Sequence, residues 1–205
     1  MDARSTTDND AGTNARTDGD GNGNSGEPGP ARASRHRTAR GVIRSLVRGV
    51  WPVAAAATLG SVATVTGVRS RWYRSLDQPA IQPPPPVFRW VWSGLYTAVA
   101  GASVALERRD PGAGFHTALL RNMTLNTAWT WVFFRGHSTR GGLVVAAALA
   151  ADSVSLARRA ARISRPAGAA IAPYAAWTCF AVILNGAVIA KNPTDRSPLE
   201  KHCAR

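Results

Sequence analysis

The chain has 205 residues, 25 Lys and Arg against 12 Asp and Glu, a net charge of +13, and 45% hydrophobic residues. With a mean hydropathy of −0.12, these averages describe a basic soluble domain of the kind that binds nucleic acid. Two cysteines, both near the C-terminus, and four scattered histidines exclude a disulfide-stapled secreted module and a zinc site with ordinary ligand spacing.

The averages conceal a division along the chain. Residues 1–30 carry a balance of −4, leaving +17 on residues 31–205 together with nearly all the apolar residues. Residues 1–40 are Gly, Asn, Asp, Ser, Thr and Arg without an aromatic. Such a segment buries too little surface to offset its chain entropy and reads as a disordered polar tail. It is not a signal peptide, because the apolar run that follows begins too late and precedes no polar domain.

From Gly49 onward the charges cluster between long uncharged runs. Gly49 to Val68 and Pro166 to Ala190 contain no charge, and neither does Trp90 to Leu106. Pro111 to Phe134 is interrupted only by Arg121, and Gly141 to Ala157 only by Asp152. A helix of about 20 residues crosses a hydrocarbon core of about 30 Å. The pattern therefore predicts an all-α polytopic membrane protein, a bundle of five transmembrane helices at about 49–68, 88–107, 111–134, 140–158 and 166–190. These lie in a membrane domain of residues 41–192, followed by a short tail at 193–205. A soluble bundle is disfavoured because five successive helices without a polar stripe leave no wet face. The runs are rich in Ala, which suits close packing through small side chains. Counting Arg and Lys near the helix ends places twelve on the side of the N-terminus and ten opposite, so the N-terminus is expected to be cytoplasmic.

The first loop contains Arg71-Trp72-Tyr73-Arg74-Ser75-Leu76-Asp77-Gln78-Pro79-Ala80-Ile81-Gln82 followed by Pro83 to Pro86. Consecutive prolines remove amide donors and favour a stiff extended chain. On physical grounds this loop serves equally as a spacer with interfacial aromatics or as a lid on the bundle.

Trp72, Tyr73, Leu76, Pro79, Pro83 and Pro84, followed without a gap by Val91, Trp92, Leu95 and Tyr96, resemble the first-loop and second-helix pattern of the TspO/MBR family. This is the family of tryptophan-rich sensory proteins, translocator proteins and peripheral-type benzodiazepine receptors. Leu125, Asn126 and Trp129 with Phe133 and Phe134 resemble its third-helix motif. Pro173, Tyr174, Trp177, Phe180, Ala181, Leu184 and Asn185 resemble its fifth-helix motif. The resemblance runs from about Gly49 to Asn192, in family order.

The resemblance implies a five-helix membrane protein, often dimeric, that binds tetrapyrroles such as protoporphyrin IX or haem in a pocket beneath the first loop. The implied role is that of a sensor, regulator or transporter of porphyrins, with no obligatory cofactor. The implied partners are a porphyrin or another flat hydrophobic molecule, membrane lipid and a second copy of the chain; nucleic acid is not expected. The ligand site carried over comprises Trp72, Tyr73, Pro79, Trp92, Tyr96, Asn122, Asn126, Trp129, Tyr174, Trp177, Ala181 and Asn185. There are departures. Gln78 stands at the usual Lys, Ile81 at the usual Trp, Trp90 where Pro is common and Val145 at a usual acid, while Asp152 lies seven residues on. Gly186 replaces the Tyr of the sterol-associated motif, which lowers the expectation of a sterol ligand.

The residues also carry their own readings. Trp51, Trp72, Trp90 and Trp131 lie near run ends, where Trp is enriched at membrane interfaces. Trp177 lies at mid-run and fills the bundle or faces a ligand; the resemblance puts it and Trp92 on the ligand face, where a flat macrocycle could stack. An amide in hydrocarbon must find partners, so Asn185 is expected to bond between helices and Asn126 either does the same or lines a polar wall. Tyr174 is expected to bond the break at Pro173 or a ligand. Arg121 either snorkels or pairs with Asp152. His116 and His137 read as solvated loop residues and Cys179 as a buried small side chain.

No paired carboxylates, nucleophile elbow, phosphate loop or metal cluster is recognisable, so no catalytic or metal-ligating residue is assigned. Enzymatic porphyrin degradation would need bound porphyrin, light and oxygen, with Trp92 and Trp177 as oxidisable partners. A further alternative is an interaction protein using the basic Arg32–Arg48 segment, whose place before the first helix favours lipid headgroups.

Overall fold

Each uncharged run folds as a helix whose apolar side chains have no aqueous face to turn to. The computed structural model describes residues 30–109 and 113–193, with the backbone alone for 30–39 and 113. Five long helices form the bundle: α1 (Pro30–Val68), α3 (Pro85–Arg109), α4 (Ala113–Thr130), α5 (Thr139–Ile163) and α6 (Arg165–Lys191). A short helix, α2 (Arg71–Ser75), lies in the first loop. Helix α1 starts at Pro30, ten residues earlier than the tail boundary expected from composition. Residues 1–29 and 194–205 lie outside the described residues.

The helices close into a ring in the order α1, α3, α6, α5, α4 and back to α1, with the most extensive packing between α5 and α6. The protein is an all-α membrane protein. Arg40–Val68, Thr139–Ile163 and Arg165–Lys191 are each long and apolar enough to cross a bilayer. Exposed hydroxyls on α1, α3 and α4 turn back onto their own backbone, Thr58 donating to the Ala54 carbonyl, Thr97 to Ser93 and Thr124 to Leu120. Satisfied in this way, they can face hydrocarbon without an open hydrogen bond.

Small residues set how closely the helices approach. A Cβ on Gly168 of α6 would meet the Ala161 backbone nitrogen of α5 at 2.8 Å, so the tight α5–α6 crossing requires Gly there. A Cβ on Gly67 of α1 would collide with the Phe134 side chain. That phenylalanine belongs to a π turn, Trp131–Arg135, which extends α4. The wider turn carries buried Phe133 and Phe134, and it ends at Gly136 and His137, the latter at φ 49°. Mid-helix π turns commonly mark functional positions.

One detail of the loop prolines differs from the expectation. Pro85 and Pro86 open α3 instead of extending the loop, because a first helical turn needs no N–H from them. Helix α6 continues through Pro173, which is exposed.

The end of the bundle opposite the first loop holds an ionic cluster that composition did not reveal. Glu107, 3% exposed, ends α3 inside the bundle, with Arg48 Nε of α1 3.2 Å from its Oε2 and His116 Nδ1 of α4 3.9 Å from its Oε1. His116 is therefore a half-buried helical residue rather than a solvated loop one. Cys179 is likewise exposed, not buried.

Removing one partner of a buried pair strands the other, at about 3 kcal/mol or more. Arg48→Met should lower the thermal midpoint of purified protein in detergent. The double variant Arg48→Met/Glu107→Met should recover more than half of the loss, as read by scanning fluorimetry.

Candidate functional site

Aromatic residues three or four apart on a helix share a face, and Trp92/Tyr96 of α3, Trp129/Phe133 of α4 and its π turn, and Tyr174/Trp177 of α6 present such faces to one another. Trp92 of α3 lies against Trp129 of α4, ring centroids 6.4 Å apart and 28° between planes. Trp129 continues onto Phe133 of the π turn at 6.3 Å, again at 28°. Phe133 meets Trp72 of α2 edge-on at 5.6 Å, and Trp92 meets Tyr174 of α6 edge-on at 6.3 Å. An aromatic column thus runs from the first loop down into the bundle. Offset and edge-on contacts at these separations are favourable beyond their buried area.

The first loop is pinned over this column. Trp72 rests on Phe133 and on His137, the latter at 4.9 Å, while Tyr73 rests on Phe134 at 5.6 Å. Leu76 and Pro79 are buried beneath the loop. The Asn192 side chain at the end of α6 latches it: Oδ1 accepts from the Asp77 amide at 2.9 Å, and Nδ2 donates to the Asp77 carbonyl at 3.1 Å. Lys191 Nζ donates to the Gln78 carbonyl at 3.3 Å, so a cation reaches this turn although Gln78 itself is neutral. Gln82 Nε2 donates to the Tyr73 hydroxyl at 3.2 Å. These bonds hold the loop across this end of the bundle, in the position expected of a lid.

Below the column lies a polar chain. The Tyr96 hydroxyl donates to Asn126 Oδ1 at 2.7 Å, and Asn126 Nδ2 donates to the Tyr174 hydroxyl at 3.2 Å. Tyr174 donates to Asn122 Oδ1 at 2.8 Å, and Asn122 Nδ2 donates to Asp152 Oδ2 at 2.9 Å and to Ser153 Oγ at 3.0 Å. Arg121 closes the end, its Nε donating to Asp152 Oδ1 at 2.7 Å and its Nη2 paired with the same oxygen. The Arg121–Asp152 pair weighed from the sequence is formed, between α4 and α5.

The expected site residues thus fall into groups. Trp92, Tyr96, Asn126 and Trp129 come together around the column, with Trp72 and Tyr73 above them. Asn122, Asn126 and Tyr174 are each fully buried; Tyr174 bonds both amides, and Asn122 carries the chain on to Asp152 and Ser153. Tyr174 bonds this pair of amides and not a break at Pro173. Trp177 stands apart from the stack, between Phe88 at 5.5 Å and Phe180 at 5.3 Å. Asn185 bonds the Ala181 carbonyl of its own helix at 3.1 Å, correcting the expected interhelical bond; its Oδ1 lies where a Cβ on Gly142 would be 3.3 Å away. Trp51, Trp90 and Trp131 are exposed on the outer surface, as a membrane belt requires, whereas Trp72 belongs to the lid.

Sequence reasoning missed Asn192, Phe88 and Ser153. An Asn directly after the final basic residue of a helix is a recognisable end signal, but its pairing with Asp77 spans 115 positions. Among the described residues, the indole nitrogens of Trp129 and Trp177 are buried without a hydrogen-bond partner.

The fold defines an all-α helical membrane protein with a column of aromatic side chains beneath its first loop. The TspO/MBR family pattern matches residues 50–190, and the chain belongs to that family. It is similar to the translocator protein of Ovis aries, 27% identical over 126 residues, covering 59% of this chain and 75% of that one. It is also similar to the tryptophan-rich protein TspO of Chlorobaculum tepidum, 29% identical over 137 residues, 64% and 86% of the two chains. The translocator protein of Homo sapiens is 32% identical over 133 residues, 59% and 75% of the two.

If Asn192 holds the lid, Asn192→Ala should leave the helices intact and loosen residues 71–84. Amide exchange at Asp77 should accelerate by about fivefold, the equivalent of about 1 kcal/mol of lost hydrogen bonding. Unaltered exchange there would show that the stacking alone keeps the lid closed.

Proposed function

We propose that this protein is an integral membrane tetrapyrrole-binding protein, a sensor, regulator or transporter of porphyrins, which crosses the bilayer five times with its N-terminus in the cytoplasm. The observation that carries the reading is the pairing of near-parallel aromatic planes at Trp92, Trp129 and Phe133 with unpartnered indole donors at Trp129 and Trp177. A flat macrocycle supplies π-faces for the first, and its carboxylates supply acceptors for the second, since buried N–H groups ordinarily have partners. Protoporphyrin IX and haem combine both features.

Helices α3 and α4 support the five-crossing reading by length. At about 1.5 Å per residue, the 25 residues of α3 and the 18 of α4 with its five-residue π turn are each long enough to span a core of about 30 Å. Arg40, Arg44 and Arg48 on α1, Arg108 and Arg109 on α3 and Arg158, Arg159, Arg162 and Arg165 around the α5–α6 turn share the end opposite the lid. The lid end carries Arg69, Arg71, Arg74, Arg89, Arg135, Arg140 and Lys191, so the excess is small, and it favours the cytoplasmic side for the end opposite the lid. The lid then faces the other side of the membrane, where it controls entry to the column.

Titration of the purified protein with protoporphyrin IX, followed through the Soret band, tests the reading. Wild type should saturate at one ligand per chain. Trp92→Ala/Trp129→Ala should weaken binding by at least about tenfold, because each stacked ring contributes about 1 kcal/mol. Equal affinity in that double variant would remove the column from the site.

A further inference from the structure

We infer that Tyr96 is a specificity-determining residue whose oxygen offers a bound ligand only lone pairs, because Asp152, four hydrogen bonds away, sets the direction of the whole chain. The inference rests on the reading of the aromatic column as the ligand site. Tyr96 is the member of the chain that reaches this site: it is half-buried and lies on Trp92 at 5.2 Å.

The direction follows from counting donors. An ionised carboxylate only accepts, and a guanidinium only donates. Arg121 occupies Asp152 Oδ1, so Asn122 must turn its NH₂ toward Oδ2. Its Oδ1 then faces Tyr174, whose single hydroxyl hydrogen must be given to it. With that hydrogen used, Tyr174 can only accept from Asn126, which must present Nδ2. Asn126 Oδ1 is left for Tyr96, whose hydrogen is thereby committed as well. Each amide could in isolation be turned either way, but the carboxylate removes the choice at every step. What remains at Tyr96 is an acceptor. A ligand that places an N–H or O–H there is bound, and one that places a lone pair there meets repulsion in a medium of low polarity.

The same counting makes the effect reversible by one substitution. In Asp152→Asn, Arg121 still requires an oxygen, so the new NH₂ faces Asn122. Asn122 then presents Oδ1 toward residue 152 and Nδ2 toward Tyr174, Tyr174 donates to Asn126, and Asn126 donates to Tyr96. The Tyr96 hydrogen is released toward the ligand. Ser153, which now donates to the Leu149 carbonyl at 2.8 Å, rotates to donate to Asn122.

The test uses two flat ligands of one shape: carbazole, with a ring N–H, and dibenzofuran, with a ring oxygen. Affinities are measured by equilibrium dialysis with the full chain in nanodiscs, alongside protoporphyrin IX. Wild type should prefer carbazole by about tenfold, as expected for one buried hydrogen bond made against one refused. Asp152→Asn should prefer dibenzofuran, and Tyr96→Phe should bring the ratio to within about twofold. A wild type without preference, an Asp152→Asn variant that keeps the carbazole preference, or a Tyr96→Phe variant that retains it would each overturn the inference. Should Asp152→Asn not fold, the Tyr96→Phe ratio decides alone. Failure of wild type to take up protoporphyrin IX overturns the proposed function. Uptake of protoporphyrin IX without discrimination between the paired ligands overturns only the role of Tyr96.

Discussion

A carboxylate inside a membrane bundle is tolerated only with its charge paired and its remaining lone pairs occupied. Asp152 meets this condition by drawing Arg121 and Asn122 from α4, and through Asn122 it takes hold of Tyr174 on α6. From there Asn126 reaches Tyr96 on α3. Four of the five long helices are thereby tied at one depth by bonds that have no alternative arrangement. Arg121 keeps its side chain 58% exposed at the outer end, where it neutralises the carboxylate without itself being buried.

The aromatic column stands on this polar base and takes its positions from it. Tyr174 meets Trp92 edge-on because its hydroxyl is held by the two asparagines, and Trp129 lies one turn beyond Asn126. Farther up, the π turn adds the residue's worth of backbone that carries Phe133 and Phe134 to the bundle's mouth. The lid closes the top through a different kind of contact, a side-chain amide bonded to both the backbone N–H and the C=O of Asp77. A rigid base, a stacked wall and a latch held by a few bonds form a gradient of stability, with the weakest element at the first loop.

Much of the bundle was legible in the chain because charge is excluded from hydrocarbon. Gaps between charges at 49–68 and 166–190 fall inside α1 and α6, and membership of the TspO/MBR family could be read from Trp72, Trp92, Asn126 and Trp177 in their spacing. The individual roles were less legible. Asn122 and Tyr174 are both fully buried and bonded to each other across 52 positions, which no local motif records. Asn185 turned inward to its own helix, and Glu107, directly after the uncharged run that ends at Leu106, is 3% exposed. A linear pattern records that a polar group is present; it does not record which neighbour satisfies it.

The sequence by itself determined that this chain is an all-α membrane protein and which family it belongs to, since these follow from composition, charge spacing and local motifs. Only the tertiary structure decided that Arg121 pairs with Asp152, that Asn192 latches the first loop, and that Tyr96, Asn126, Tyr174 and Asn122 form one directed chain. Those bonds join residues 30 to 115 positions apart, and donor direction is a property of a closed network. No segment of the chain contains enough of that network to specify it.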